Sequence, residues 1–276
     1  YIGAMTNSEL LTVMVGGMAT IAGVVMAAYI QMLGQGLAEA QNIPLAEAQL
    51  RFAVQLLAAS AMAAPAGLAI SKILFPETGT PATKGTVRLK VEKNAANVIE
   101  AAATGAGDGL QLALNVGAML LAFIAGIALV NYLFLALGNA LGVNAYLTAN
   151  FGQPLSLQLI FGVVLRYLAI GIGVPTADAF HFGSLLGTKV VLNEFVGYID
   201  LVGLIKQGAM SAKGITMATY ALCGFANFSS IAIQIGGIAP MAPHRKKDIA
   251  ALGLKAVLGG SLATLMTATL AGILLG

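Results

Sequence analysis

The sequence predicts an all-α membrane protein, and three observations carry that reading. Of 276 residues, 58% are hydrophobic and only 9% charged, whereas a soluble domain runs near a quarter charged. The mean hydropathy is +0.89. Charge-free apolar runs recur at about the 20-residue length that crosses the hydrocarbon core as a helix. The formal net charge of +3 is small, so no nucleic-acid partner is expected, and basic residues instead mark cytoplasmic loops. A single Cys223 in an apolar run supports neither a disulfide framework nor a thiolate metal site. The chain opens at Tyr1 with no basic n-region or cleavage site, and reads as a piece or the ordered part of a longer protein.

The first charge-free run lies between Glu9 and Glu39, and Leu10–Leu33 makes one span. Phe52–Ser71, bounded by Arg51 and Lys72, makes a second. Between Asp108 and Arg166 the run exceeds one helix, so the Gly- and Asn-rich stretch 138–154 supplies a turn, with Leu110–Leu137 as the span before it. Ile215–Met241 and Ile249–Leu275 complete five full spans. Residues 83–109 read as a basic, amphipathic inner-surface segment, and 155–175 as a helix along the outer interface.

Basic residues set the orientation. Lys72, Lys84, Arg88, Lys90 and Lys93 crowd one loop, and "PHRKKD" (243–248) carries three more. Both loops are expected on the cytoplasmic side. Threading the spans outward from them forces residues 155–213 to return to the side they left. Residues 172–200 contain two short halves, 176–186 and 188–199, around Gly187. Each is too short to cross, so a helical hairpin dipping into the membrane is expected, a backbone path tolerated where protein or water surrounds it.

An internal echo links "GGMATIAG" (16–23) with "CGFANFSS" (223–230), each near the middle of a span. Carriers are often built from inverted repeats whose broken helices meet at the midplane. The expected fold is therefore an inverted-repeat secondary transporter with broken helices and a re-entrant hairpin. Its expected units are 1–76, 77–175 and 176–276: first-repeat helices, then interfacial and long central helices, then the hairpin with second-repeat helices.

Within this plan Glu194 lies at membrane depth, where a carboxylate costs several kcal/mol unless paired or hydrated. It either belongs to a site or serves structure, by pairing with Lys189 or capping a neighbouring helix; Lys189 and Asn193, four apart, are expected on one helix face. Asn227 and Ser230, three apart, are expected as neighbours on one face with Phe225 nearby. Amide, hydroxyl and carboxylate together suit a polyhydroxylated ligand, and an aromatic ring suits a flat base or sugar face. Ordinary interhelical hydrogen bonding accounts for Asn227 and Ser230 equally well. If the helix breaks at Thr20, its hydroxyl and the freed carbonyls of Thr20 and Ile21 can hold a small hard cation; small-residue packing is the alternative. "GAGDG" (105–109) lacks the strand and Lys of a nucleotide loop. Nor does "GSLLG" (183–187) match a nucleophile elbow. His181 and His244 have no spaced partners. An enzyme is not expected.

At "GSLLGTKVVLNEFVGY", "YALCGFANFSSIAIQIGG" and "MTNSELLTVMVGGMATIAGVVMAAY" the chain resembles the concentrative nucleoside transporters, and 101–131 resembles that family's interfacial segment and long central helix. The resemblance covers essentially the whole chain. It implies a homotrimer in the plasma membrane (a bacterial inner membrane, from the compact loops), with a scaffold and a mobile transport domain. It further implies nucleoside uptake driven by a sodium gradient, or in some members a proton gradient. Carried over by position, Glu194, Asn227 and Ser230 would bond the ribose, and Phe195 and Phe225 would line the pocket. Thr20 and the Ile21 carbonyl would form part of a sodium site. The family's first re-entrant hairpin, with its Gly-Gln-Thr-Glu block, and its N-terminal spans are expected before Tyr1. A passive channel, or a carrier for another small polar solute, is the competing expectation.

Overall fold

A computed structural model of the chain describes residues 1–81, 83–85 and 96–276, and among these all regular structure is helical. Helix α1 (Asn7–Ala19) starts at a capping box, in which Thr6 accepts from Glu9 N–H and the Glu9 side chain reaches back to Thr6 N–H. It ends at Thr20, and α2 (Gly23–Gln41) resumes after three residues. Leu10–Leu33 is thus an interrupted span. Helix α3 (Leu45–Leu74) covers the second expected span and carries Pro65 within it.

Helix α4 (Val98–Ala140) is 43 residues long. The expected surface segment 83–109 is therefore corrected: residues 98–109 are the first turns of α4, while 82 and 86–95, with Arg88, Lys90 and Lys93, lie outside the described residues. Helix α5 (Asn144–Phe151) folds out of the expected turn, bent 111° from the end of α4. Helix α6 (Leu157–Gly171), capped by Ser156, follows.

Two helices form a helical hairpin in this region, with its turn at a different place from the expected one. Its arms are α7 (Ala179–Val191) and α8 (Glu194–Lys206). Gly187 lies inside the first arm, and the turn falls at Leu192–Asn193. Asn193 wins because its side chain caps α8 by accepting from Val196 N–H at 2.9 Å. Gly187 serves packing: a Cβ there would collide with Phe161 of α6. At Gly183 a Cβ would stand 2.9 Å from the Gly162 carbonyl, so α6 and α7 touch backbone to backbone. Residues 157–171 accordingly lie against the hairpin's first arm.

The expected span Ile215–Met241 is corrected too. It is two short helices, α9 (Ala212–Leu222) and α10 (Phe228–Ile238), separated by Cys223–Asn227. Short 3-10 turns lead into α11 (Lys246–Leu274). Instead of five unbroken spans, three stretches among the described residues are long and apolar enough to cross a bilayer: Asn7–Gln41 through its break, Leu45–Leu74 and Pro243–Leu274. The pair Ala125–Ala140 and Asn144–Phe151 passes the same test only when its two helices, bent by 111°, are counted as one span.

Polar contacts fix which ends lie together. Near Phe75, Ser8 donates to the Phe75 carbonyl at 2.7 Å and Thr6 to Glu77 at 2.7 Å. Arg245 donates to Met5 O at 2.5 Å and Asn7 at 2.7 Å. The Lys72 end of α3 and the 243–248 stretch thus share one end of the bundle. At the other end Lys206 pairs with Glu39 at 2.6 Å, and Ser211 N–H donates to Asp178 at 3.1 Å. Asp178 precedes α7 and Lys206 ends α8, so the hairpin enters and leaves the bundle at that second end. Its turn points to the interior.

Candidate functional site

Two breaks and one turn meet in the interior. Gly224, in the α9–α10 break, adopts φ +147°, and a Cβ there would lie 2.8 Å from the Met18 carbonyl and 2.9 Å from that of Ala19. Only glycine allows this approach, and it seats the second break against the end of α1. The sequence echo does not superpose the two interruptions. Thr20 closes α1 at its C-terminal end, whereas Asn227, its counterpart in the echo, opens α10 as the N-cap.

Glu194 is the first residue of α8 and is 5% exposed. The Tyr29 hydroxyl donates to its Oε1 at 2.9 Å, and Asn227 Nδ2 donates to its Oε2 at 3.2 Å. The N-terminal dipole of α8 adds favourable charge. A buried carboxylate would otherwise cost several kcal/mol; here three positive-going groups offset that cost. Asn227 Oδ1 in turn accepts from Ser230 N–H at 2.8 Å, Ser230 Oγ at 2.9 Å and Ser229 Oγ at 2.7 Å. Asn227 and Ser230 are indeed neighbours, through capping at the start of α10 rather than a shared face within one helix.

Glu194, Asn227 and Ser230 are thus brought together. Phe195 stands half-exposed beside them, its ring 6.2 Å from that of Tyr29, and Phe225 is partly buried in the break against the main core. Thr20 and Ile21 lie in the first break: Thr20 Oγ1 donates to the Gly16 carbonyl at 2.9 Å. Among the described residues no main-chain N–H donates to the carbonyls of Thr20 or Ile21. A cavity of about 580 Å³ lies on another face of the hairpin, lined by His181, Ser184 and Asp200 among others, and none of these site residues borders it.

The structure corrects two further expectations. Lys189 neither pairs with Glu194 nor shares a helix face with Asn193; it is buried at 1% exposure, donating to Ala221 O at 2.7 Å and Thr264 Oγ1 at 3.1 Å. Tyr29 was not expected at the site. Its signal was a hydroxyl in mid-span, since a buried Tyr usually finds a partner for its O–H.

A hairpin turn closing on two interrupted apolar helices, with a shared buried carboxylate, defines the class: a helical membrane transporter with broken helices. The particular family follows from comparison. A family model described as Na+ dependent nucleoside transporter C-terminus matches residues 55–272, and the chain belongs to this family. It is 42% identical to the nucleoside permease NupC of Helicobacter pylori, covering 100% of this chain and 60% of that protein. It is 46% identical to an uncharacterized transporter of Haemophilus influenzae, covering 100% of this chain and 61% of that protein. With human sodium/nucleoside cotransporter 1 the identity is 38%, over 99% of this chain and 40% of that protein. The structure of CNTnw in an inward-facing substrate-bound state is 44% identical, with a TM-score of 0.75 over 100% of this chain and 60% of that one. The chain therefore spans about three-fifths of the length of its bacterial relatives.

Proposed function

We propose that this chain carries the substrate and ion site of a cation-coupled nucleoside importer that works by alternating access. The observation that carries the reading is the Glu194 carboxylate, held between Tyr29 and Asn227 where the hairpin turn meets a helix break. A ribose with vicinal hydroxyls can replace those two donors, giving each carboxylate oxygen an O–H in exchange. Asn227 and Ser230 then supply the remaining amide and hydroxyl contacts, and Phe195 and Phe225 border the ring system.

Sodium is the proposed coupling ion, in preference to a proton. The family description and the name of the human relative support it, as do the carbonyls of Thr20 and Ile21 at the end of α1, where the helix dipole favours a cation. A coupling ion acts only through differential affinity for two states. An ion at Thr20 would act through the end of α1, against which Gly224 seats the Asn227 break. The mobile unit is built from 1–76 and 176–276 around a scaffold centred on α4 within 77–175. Exposed Leu121, Leu129 and Leu133 on α4 suit lipid and a homotrimer contact. The proposed setting is a bacterial inner membrane.

The test is uptake of labelled uridine and adenosine into proteoliposomes by the full-length protein, with and without an inward sodium gradient. Accumulation that follows the gradient is expected. Sodium-independent flux that never exceeds the external concentration rejects the carrier reading in favour of a passive pore.

A further inference from the structure

Each broken helix leaves a carbonyl end inside the bundle, and such an end carries roughly half a negative charge. The two ends are treated differently. At the end of α1, no side-chain cation among the described residues is a partner of Thr20 or Ile21. At the end of α9, the Lys189 ammonium donates to the Ala221 carbonyl at 2.7 Å, while its second hydrogen bond ties it to Thr264 of α11. No carboxylate stands within ion-pair distance of Lys189 among the described residues; the nearby Glu194 acts on it only through space. A lysine buried to 1% exposure without a paired anion is costly. Its placement makes sense if the anion it neutralises is the helix end itself.

We propose that Lys189 is a built-in cation for the carbonyl end of α9, so that of the two broken helices only the first takes a mobile coupling ion. The inference rests on the carrier reading above and names how its two half-sites divide the charge. Lys189 is a positioning residue. It reaches from the first hairpin arm to the last turn of α9, directly before the Cys223–Asn227 break, and so fixes the distance between Glu194 and the Asn227 amide. The fixed ammonium does for the second break what a bound sodium does for the first, without leaving during the transport cycle.

The experiment uses the full-length protein and two readouts. In proteoliposomes, Lys189→Met, which keeps the bulk and removes the charge, is expected to raise the half-saturation concentration for uridine and adenosine at least tenfold. It should also steepen the sodium dependence, as a second ion takes the vacated place. In detergent, Lys189→Ala is expected to melt below wild type and to recover with ethylammonium, which fits the deleted volume, but not with tetramethylammonium. Unchanged half-saturation and sodium dependence in Lys189→Met overturn the proposal, as does a Lys189→Ala melt that the two ammonium ions shift equally. Should Lys189→Met fail to assemble, Lys189→Arg decides: assembly with the charge kept supports the proposal, and failure of both overturns it. Wild-type protein without nucleoside uptake would sink the carrier reading, while the melting comparison still decides the role of Lys189.

Discussion

Glu194 and Asn227 stand 33 positions apart, each at the start of a separate helix, and share a hydrogen bond of 3.2 Å in the interior. Each side chain begins a helix that resumes after a turn or break, so two N-terminal dipoles converge on one carboxylate. That convergence makes the pair a candidate for gripping neutral hydroxyls rather than for holding a permanent countercharge.

Replacing the carboxylate tests this directly. Glu194→Gln keeps the shape but substitutes an amide whose N–H₂ faces the Tyr29 or Asn227 donor. Hydrogen bonds to a charged group are worth about 1.5–3 kcal/mol, so the half-saturation concentration for uridine and adenosine should rise about 10- to 100-fold. Assembly in the membrane should be unchanged. Wild-type uptake kinetics in this variant would remove Glu194 from the site.

Tyr29→Phe removes one donor and leaves Oε1 of Glu194 under-satisfied. The ring still packs on Tyr198, whose centroid is 4.5 Å away. The cost of about 1–3 kcal/mol for an orphaned buried acceptor falls on the empty site alone, because a ribose hydroxyl replaces the lost donor, so uptake efficiency is expected to rise about tenfold. A variant with unaltered efficiency would show that the Tyr29 hydroxyl is dispensable.

Gly224→Ala tests the contact between the two breaks. Its φ of +147° and the carbonyls of Met18 and Ala19 leave no room for a Cβ, and strain of about 1–3 kcal/mol is expected. The Tm in detergent should fall by several degrees. Gly203→Ala, inside α8 with nothing within 4 Å of the added carbon, should instead hold or raise Tm, by about 0.4–1 kcal/mol of stability.

The basic end of the bundle offers a pH test outside the membrane-spanning helices. The hydrogen bond from Thr6, then the Gly79 N–H and Lys72, hold the Glu77 carboxyl below its ordinary range despite partial desolvation. A carboxyl whose folded pKa is depressed contributes stability above its unfolded pKa, near 4.3, and loses it as pH falls through the folded value. The Tm difference between wild type and Glu77→Gln should therefore be present at neutral pH and shrink as the pH falls below the unfolded value of about 4.3. A difference that persists or grows on acidification contradicts this.

Much of the architecture was legible in the chain because membrane spans announce themselves through absent charge. The hairpin was legible through parity: Lys72 and the 243–248 stretch had to share an end, and they do. Its hinge was not, because Gly187 looks like a turn residue when its lack of a side chain serves contact with Phe161, while the cap at Asn193 marks the true turn. The division of 215–241 into α9 and α10 was hidden for a related reason. Cys223, Gly224, Phe225 and Ala226 carry no charge, so a hydropathy reading runs straight through them. The grouping of Glu194, Asn227 and Ser230 was readable from residue type. Tyr29 was missed because its partner is 165 positions away, and Lys189 was misassigned because its partner is a main-chain carbonyl.

The glycine seam between α6 and α7 limits how the protein can flex. With Gly183 lodged against the Gly162 carbonyl and Gly187 against Phe161, the two helices cannot slide past one another without collision. Helix α6 follows the long helix in sequence, yet its packing partner is the hairpin's first arm. Residues 152–156 join α5 to this locked pair, and Gly152 turns there at φ +75°.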